Sequence, residues 1–376
     1  MSDTFKKIRR RIWLVFNIGV VFWVLAGVLC LQVPPQKFWP AGFVAFSMPG
    51  ALVLNFFFLL YWVLRRSWLL VLPLAVLLLG WNYYARLLAV NLDQEAPAGA
   101  KTLQVLSFNT HMFNVYNDES SDQSSSVEMA NWIATHPADV YCLQEFYSKR
   151  NSDLYNTISR IGVRYGKNRF FSVATSSRKR GDVGIAIFSK HPILNKGVIN
   201  FSNRSSANRV AWVDLNIGGD TVRVYASHLQ SMSIKSEDIE DTYYAISNQD
   251  SFKKRGRNLA RRLRNGFVAR GTQVEMLLAH VRESPYRTIV CGDFNDIPFS
   301  YTYNELAKEM DNAFVEAGTG IGATYNGVLP FLRIDNQFYT DGLRAVAFET
   351  HHEMSLSDHY PITAQYVVEP RTEAAR

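Results

Sequence analysis

Several polar side chains in this chain of 376 residues stand at the ends of short apolar runs. Cys291-Gly292-Asp293-Phe294-Asn295 follows Thr288-Ile289-Val290, which reads as a buried strand. A carboxylate and an amide two positions apart leave a strand on the same side. Asp293 can accept a proton, orient water or bind a cation. Asn295 can donate to a phosphate oxygen without adding charge. Gly292 lets the backbone bend and approach a ligand. Asn109, Glu145, His228 and the pair Asp358-His359 occupy comparable places. One such group is most often a capped turn, but five strand ends with the same placement point to a shared site.

The residue types narrow the chemistry. Glu145, Asp293 and Asp358 are hard oxygen donors, suited to Mg²⁺ or Mn²⁺. His228 and His359 can exchange protons near neutral pH or stabilise an anion. The sequence has no Cys/His cluster with zinc spacing, no G-x-S-x-G elbow and no phosphate-binding G-x-x-x-x-G-K-[ST] loop. Cys30, Cys142 and Cys291 sit in apolar surroundings and read as small buried hydrophobes. A hard cation, histidines and carboxylates without a covalent nucleophile point to metal-assisted hydrolysis of a phosphoester.

Strands must deliver these groups. They are expected over Leu103–Phe108, Asp139–Leu143, Val183–Phe188, Val198–Phe201, Arg209–Leu215 and Val222–Ser227, and after the Asp293 strand over Leu332–Tyr339, Leu343–Glu349 and Ile362–Val368. Helical spacing is expected over Val127–His136, Leu154–Ile161 and Gly271–Arg282. Ser120–Ser126 reads as a loop, Asp341-Gly342 as a turn, and His351-His352 as exposed at a strand end. Strands interleaved with helices, with polar groups at strand ends, define an α/β layered fold with its site on one rim.

The N-terminal third differs. Apolar runs at about 12–31, 41–64 and 67–85 have the length of transmembrane helices and carry no Asp, Glu, Lys or Arg in their interiors, which argues against a transporter. Trp and Tyr residues flank them. Of the 40 Lys and Arg residues nine precede Asp93, whereas of the 33 acids only Asp3 does, so the basic balance belongs to this segment. Lys6, Lys7, Arg9, Arg10 and Arg11 precede the first run, and Arg65-Arg66 follow the second. The positive-inside bias puts those ends in the cytoplasm and everything after the third run outside. No small-x-small site follows the first run, so an uncleaved anchor is expected rather than a signal peptide. The expected division is an anchor at 1–90, a linker at 91–101, a catalytic domain at 102–370 and a disordered tail at 371–376.

The soluble part resembles the endonuclease/exonuclease/phosphatase superfamily, the DNase I-like fold. The motifs that carry the resemblance are Ser107-Phe108-Asn109, Leu143-Gln144-Glu145, Gly184 to Ser189, Ser227 to Gln230, Gly292 to Asn295, Arg333-Ile334-Asp335 and Leu356 to Pro361. The resemblance implies a four-layer αββα sandwich of two mixed sheets with the site at one end. It implies that Glu145 is the principal metal ligand, with Asn109 beside it and Asp358 as a further metal-site acid. By the same resemblance Asp293 orients or deprotonates the attacking water, Asn295 contacts phosphate and His228 stabilises the transition state. His359 is then the general base or a phosphate contact, oriented by Asp335. His111 is a candidate for substrate contact. The chain departs from the family at Thr110-His111, where some DNA-repair members carry an acid, and at Asn336-Gln337, where many have an aromatic-apolar pair.

The expected function is a membrane-anchored, Mg²⁺- or Mn²⁺-dependent phosphodiesterase acting on DNA or a lipid headgroup. The alternative is an inactive binding or scaffold protein on the same fold. Lys253, Lys254, Arg255, Arg257, Arg261, Arg262 and Arg264 form a basic segment, read either as a solvated insertion or as a contact for phosphates of nucleic acid or lipid. Tyr243 and Tyr244 lie near it, without regular aromatic interleaving. No obligate protein partner is evident.

Overall fold

The computed structural model describes residues 3–92, 94–115, 124–177, 179–202, 207–232 and 249–370. The expected tail, Tyr243-Tyr244 and the start of the Ser-rich loop lie outside these. Ser124–Ser126 are not loop but the first turn of a helix.

Five helices form the N-terminal part: α1 (Asp3–Cys30), α2 (Pro40–Phe46), α3 (Met48–Leu64), α4 (Val71–Leu79) and α5 (Trp81–Leu87). Lys7–Cys30 and Pro40–Leu64 are long and apolar enough to cross a membrane. The third expected span is not one straight helix, because Trp68–Leu79 and Trp81–Leu87 meet at 72°. The break falls at Gly80, where a Cβ would stand 2.7 Å from the Val76 carbonyl oxygen, so a side chain there would shift the turn. The polar residues inside the apolar runs face one another. Trp62 Nε1 donates to Asn17 Oδ1 (2.9 Å), and Asn55 Nδ2 donates to Pro73 O (3.0 Å) and Tyr84 Oη (2.9 Å). Each pair satisfies one end of a buried amide between apolar helices, while Asn17 Nδ2 and Asn55 Oδ1 have no partner among the described residues. Val15, Phe16, Phe22, Leu29, Phe57 and Leu79 point outward and are exposed. Arg10 reaches Ser67 Oγ (3.5 Å), so the two basic ends meet at one end of the bundle. At the other end Leu31, Met48 and Leu52 pack on Ile297, Phe299 and Ile334.

The chain then forms β1 (Ala89–Val90), β2 (Thr102–Asn109), α6 (Ser124–Thr135), β3 (Val140–Ser148), α7 (Thr157–Ile161), β4 (Asn168–Ser177), β5 (Gly181–Ser189), β6 (Ile193–Asn200), β7 (Arg209–Ile217) and β8 (Asp220–His228). It continues with α8 (Gln249–Arg282), β9 (Arg287–Asp293), α9 (Tyr301–Ala307), β10 (Asp311–Asn312), α10 (Ala313–Ala317), β11 (Thr319–Gly320), β12 (Asp335–Tyr339), β13 (Leu343–Thr350) and β14 (Ile362–Val368). One six-stranded sheet has the order β10-β12-β9-β8-β7-β6, and the other β13-β14-β2-β3-β5-β4. Each is mixed, with parallel pairs β8/β9 and β2/β3 among antiparallel neighbours. The short β1 pairs with β11, and Asn91 at the head of the expected linker donates to Val315 O and Gly318 O.

Alternation along the strands builds the layers. Leu103 and Val105 of β2 face Val222, Val224 and Ile289 of the other sheet across the central core. Leu106 and Phe108, one position out of phase, face Met129, Ala130 and Ile133 of α6. On the opposite side Val274, Leu277 and Leu278 of α8 cover Tyr225, Val290 and Phe338. The result is the expected αββα sandwich. Cys142 and Cys291 are buried in its central core.

Besides the short α9, α10, β1, β10 and β11, two longer elements exceed expectation. The strand β4 was missed because its residues are largely polar and half exposed. Helix α8 begins far before Gly271, so the basic segment is helical. Its first half carries charge nearly all round and only a thin apolar line, Leu259, Leu263 and Phe267. The Asn336-Gln337 departure also has a physical account. Gln337 faces inward, donates to Val105 O (3.0 Å) and Ile362 O (3.3 Å), and accepts from Tyr366 Oη (3.0 Å), so it ties the two sheets together. Asn336 faces the other way and accepts from Arg333 Nε (3.3 Å).

Candidate active site

Strand register assembles the centre of the site. His228 at the end of β8 pairs with Asp293 at the end of parallel β9, and Asp293 pairs with Asp335 at the start of antiparallel β12. Three adjacent strands thus place His228, Asp293 and Asp335 in one row. On the facing sheet, Asn109 ends β2 beside Gln144 of β3. The pairing of β3 with β5 slips between Leu143 and Phe146, and Glu145 at the slip has φ 45°. A bulge of this kind re-aims a side chain, here toward the rim. Gly292 has φ 138°, and a Cβ there would lie 2.0 Å from Ser227 O. Close approach of β8, rather than of a ligand, is what requires glycine at 292.

Asp293 is the hub. One of its oxygens accepts from the Asn295 backbone N–H (2.8 Å), and the other from Asn109 Nδ2 (3.0 Å) and Asn295 Nδ2 (2.9 Å). Asn295 also donates from Nδ2 to Leu229 O (3.1 Å), so its amide group is engaged in holding Asp293. His228 Nε2 lies 3.6 Å from Glu145 and 3.7 Å from Asp293. His228 Nδ1 faces the Ala207 carbonyl at 3.3 Å, which can only accept, so that nitrogen carries the proton and Nε2 faces the site. His359 Nδ1 is bonded to Asp335 Oδ2 (2.8 Å), and its Nε2 lies 3.7 Å from Asp293.

Burial and charge oppose each other at this pair. Burial pushes the His359 imidazole down, but the Asp335, Asp293 and Asp358 carboxylates outweigh it and hold it well above the ordinary histidine range. Asp335 is pushed up by burial against the pull of His359. It is held in place by Thr324 Oγ1, which accepts from the Ile334 and Asp335 backbone N–H groups (3.0 Å each).

The structure brings Asn109, Glu145, Asp293, Asn295, Asp358 and His359 onto the wall of one cavity of about 290 Å³. His228 and Asp335 stand immediately behind them. His111 is set apart. It stands beside the cavity with Nδ1 3.8 Å from Asp358, and its backbone N–H donates to Asn109 Oδ1 (3.1 Å). His351 departs from expectation, since it is buried, bonded to Glu353 and Thr363 and packed on Trp132, while His352 is exposed. Sequence reasoning missed Thr324, Ser357 and Asp296. Ser357 Oγ donates to Asn109 O (2.8 Å), and Asp296 pairs with buried Arg270 (2.9 Å). Position beside or within a motif was the available signal for Asp296 and Ser357, whereas Thr324, nine residues before Arg333, meets its partners only through the fold.

Two donor sets bear on a cation. Asp293, Asp335 and His359 bring one ligand atom each to within 4.8 Å of one another. In that set the Asp335–His359 hydrogen bond occupies the facing atoms. Glu145 and Asp358 are only partly covered and face the cavity with oxygens, the donor type a hard divalent cation takes.

A model of the endonuclease/exonuclease/phosphatase family matches residues 106–359, and one of a domain of unknown function (DUF8431) matches residues 10–87. The chain belongs to the endonuclease/exonuclease/phosphatase family, whose members are hydrolases of phosphate esters and typically depend on a divalent metal. The CCR4-Not complex 3'-5'-exoribonuclease subunit Ccr4 of Mycosarcoma maydis is 26% identical over 203 residues, 47% of this chain. The match covers 30% of that relative's length. Among solved structures, a functionally unknown conserved protein from Enterococcus faecalis V583 is 15% identical with a TM-score of 0.51, over 71% of this chain and 100% of that one. The endonuclease/exonuclease/phosphatase from Bacteroides vulgatus is 16% identical with a TM-score of 0.51, over 71% and 99%. Both likenesses concern the fold.

Proposed function

We propose that this chain is a membrane-anchored, divalent-metal-dependent phosphodiesterase. The observation that carries the reading is the row His228–Asp293–Asp335, with His359 bonded to its last member and Glu145 beside its first. Glu145, Asn109 and Asp358 would hold Mg²⁺ or Mn²⁺, and their oxygens fit such an ion. When bound, the cation neutralises charge on the phosphoryl group.

The remaining steps belong to the chain's own residues. Asp293, fixed by three donated hydrogen bonds, orients the attacking water and accepts its proton. His359, kept protonated by the carboxylates around it, faces the phosphoryl oxygens as a donor, and His228 Nε2 opens toward the same space. The water oxygen bonds to phosphorus, one phosphorus–oxygen ester bond breaks, and the proton that Asp293 accepted passes through solvent to the departing alcohol. Asn295 holds Asp293, and His111 contributes at the rim.

The anchor reading rests on the two apolar helices and on their exposed outward faces. The bent α4–α5 pair serves as the third crossing. The two basic ends meet away from the catalytic domain, which agrees with a domain on the extracytoplasmic side. The test is the full chain in detergent on a panel of phosphodiesters with Mg²⁺ and with chelator. Metal-dependent release of product is expected, and a chain that binds no metal and cleaves nothing would favour the scaffold alternative.

A further inference from the structure

Beyond its polar end, the site cavity is apolar. Leu259 and Leu263 of α8, Met232, Leu329, Leu332 and Phe46 of α2 line it. A second cavity of about 270 Å³ shares Phe46, Leu329 and Leu332 with the first and continues along Pro49, Ile297 and Phe331. The apolar wall is therefore made jointly by the catalytic sandwich and by the N-terminal helices. Phe267 seals that junction, with its ring centroid 5.3 Å from that of Phe43 and 6.1 Å from that of Phe46.

The half of α8 that supplies Leu259 and Leu263 is the half that carries the basic segment. Lys253, Lys254, Arg257, Arg261 and Arg264 are exposed on it, and Arg264 stands 5.2 Å from the Trp39 ring, in the connection between α1 and α2. One helix thus turns a thin apolar line into the cavity and a broad cationic face outward, beside helices whose own outward faces are apolar. A nucleotide strand would need ring faces for its bases along the groove. The site cavity has Phe46 and Tyr325 as its aromatic residues and is otherwise lined beyond the polar end by Leu and Met side chains, Ile334 and Ser231. The second cavity adds Phe299 and Phe331, together with Arg86 and Arg333. Aliphatic lining suits a hydrocarbon chain, and an exposed cationic face suits an anionic lipid surface.

We infer that the substrate is a lipid phosphoester, with its phosphate at the row of Asp293 and its hydrocarbon part in the apolar cavity between α2 and α8. The inference rests on the phosphodiesterase reading above and adds the substrate class. Leu263 sets how strongly the chain is held, and the cations of α8 hold the protein against the lipid surface.

The test uses the full chain in detergent with Mg²⁺, a soluble reporter diester, bis-p-nitrophenyl phosphate, and monoalkyl phosphates of increasing length as inhibitors below their micellar concentrations. Each added methylene should lower the inhibition constant by up to about fourfold until the cavity is filled. Leu263→Asp should flatten that dependence, and Leu263→Met should retain it. Phospholipid vesicles should be cleaved in preference to oligonucleotides. If the reporter is hydrolysed but inhibition is independent of alkyl length, or oligonucleotides are cleaved and vesicles are not, the lipid inference fails alone. If the reporter, the vesicles and the oligonucleotides are all left intact, the phosphodiesterase reading fails and takes the lipid inference with it.

Discussion

Asp293 accepts three hydrogen bonds from two asparagines, and this arrangement makes it the residue on which the proposed chemistry turns. Asp293→Asn keeps the size and removes the charge. It should lower turnover at least roughly 100-fold while the circular dichroism spectrum stays unchanged. His359→Ala should do likewise, and unchanged turnover in either would remove the mechanism. Away from the site, His136 gives a pH prediction. Burial, nearby His351 and the cations Lys167 and Lys190 push it down from 6.5 to about 4, against the pull of Glu353. Its Nδ1 accepts from the Ala138 N–H (3.2 Å), a bond that protonation there would break. The unfolded chain therefore takes up the proton first. The contribution of His136 to stability is complete above about pH 6.5 and is lost as pH falls toward about 4. The melting temperature of the full chain should fall through that window, and His136→Gln should shallow the slope.

At the scale of elements, the meeting of β8 and β9 leaves no room for a side chain at Gly292. Gly292 packs so closely on Ser227 that Gly292→Ala must push the two strands apart. A loss of about 3 kcal/mol or more is expected, from the contact and from the left-handed backbone together. Chemical denaturation measures it directly. The same displacement separates His228 from Asp293, so residual folded protein should also turn over slowly. Unchanged stability would mean that the strands are not packed as described. The bulge at Glu145 belongs to this scale too, since one slipped residue in β3 is what turns that carboxylate to the rim.

At the scale of the molecule, the N-terminal helices are part of the catalytic unit rather than a distant tether. Leu31, Met48 and Leu52 cover Ile297, Phe299 and Ile334, and Arg333 donates to the Arg86 carbonyl (2.8 Å). Removing residues 1–90 uncovers that apolar surface. The truncated chain should be less soluble and melt lower than the full chain, with aggregation visible by size exclusion. Equal behaviour would show that the two parts fold independently. For orientation, a C-terminal phosphatase fusion that is active only outside the cytoplasm should be active, and silence would reverse the proposed topology.

Local information was enough for much of this. Short apolar runs marked most of the central strands, because each is covered on both faces, by the opposite sheet and by a helix layer. That Asn109, Glu145, His228, Asp293 and His359 lie together was legible because the same placement recurs at five strand ends, although any one polar group there is most often a capped turn. The apolar N-terminal runs were legible by length and charge alone. Pairing decided the rest. Strand β4 and the first half of α8 lack a strong apolar period, so their conformation depends on neighbours distant in sequence. Register alone set Asp293 between His228 and Asp335, and the break at Gly80 divided a run that composition alone presents as continuous. The apolar wall beside the site arises where α2 and α8 meet, residues with no mark of that contact in their own segments. Composition acts through local preference, whereas a site and its neighbours are made by contacts between segments that only folding brings together.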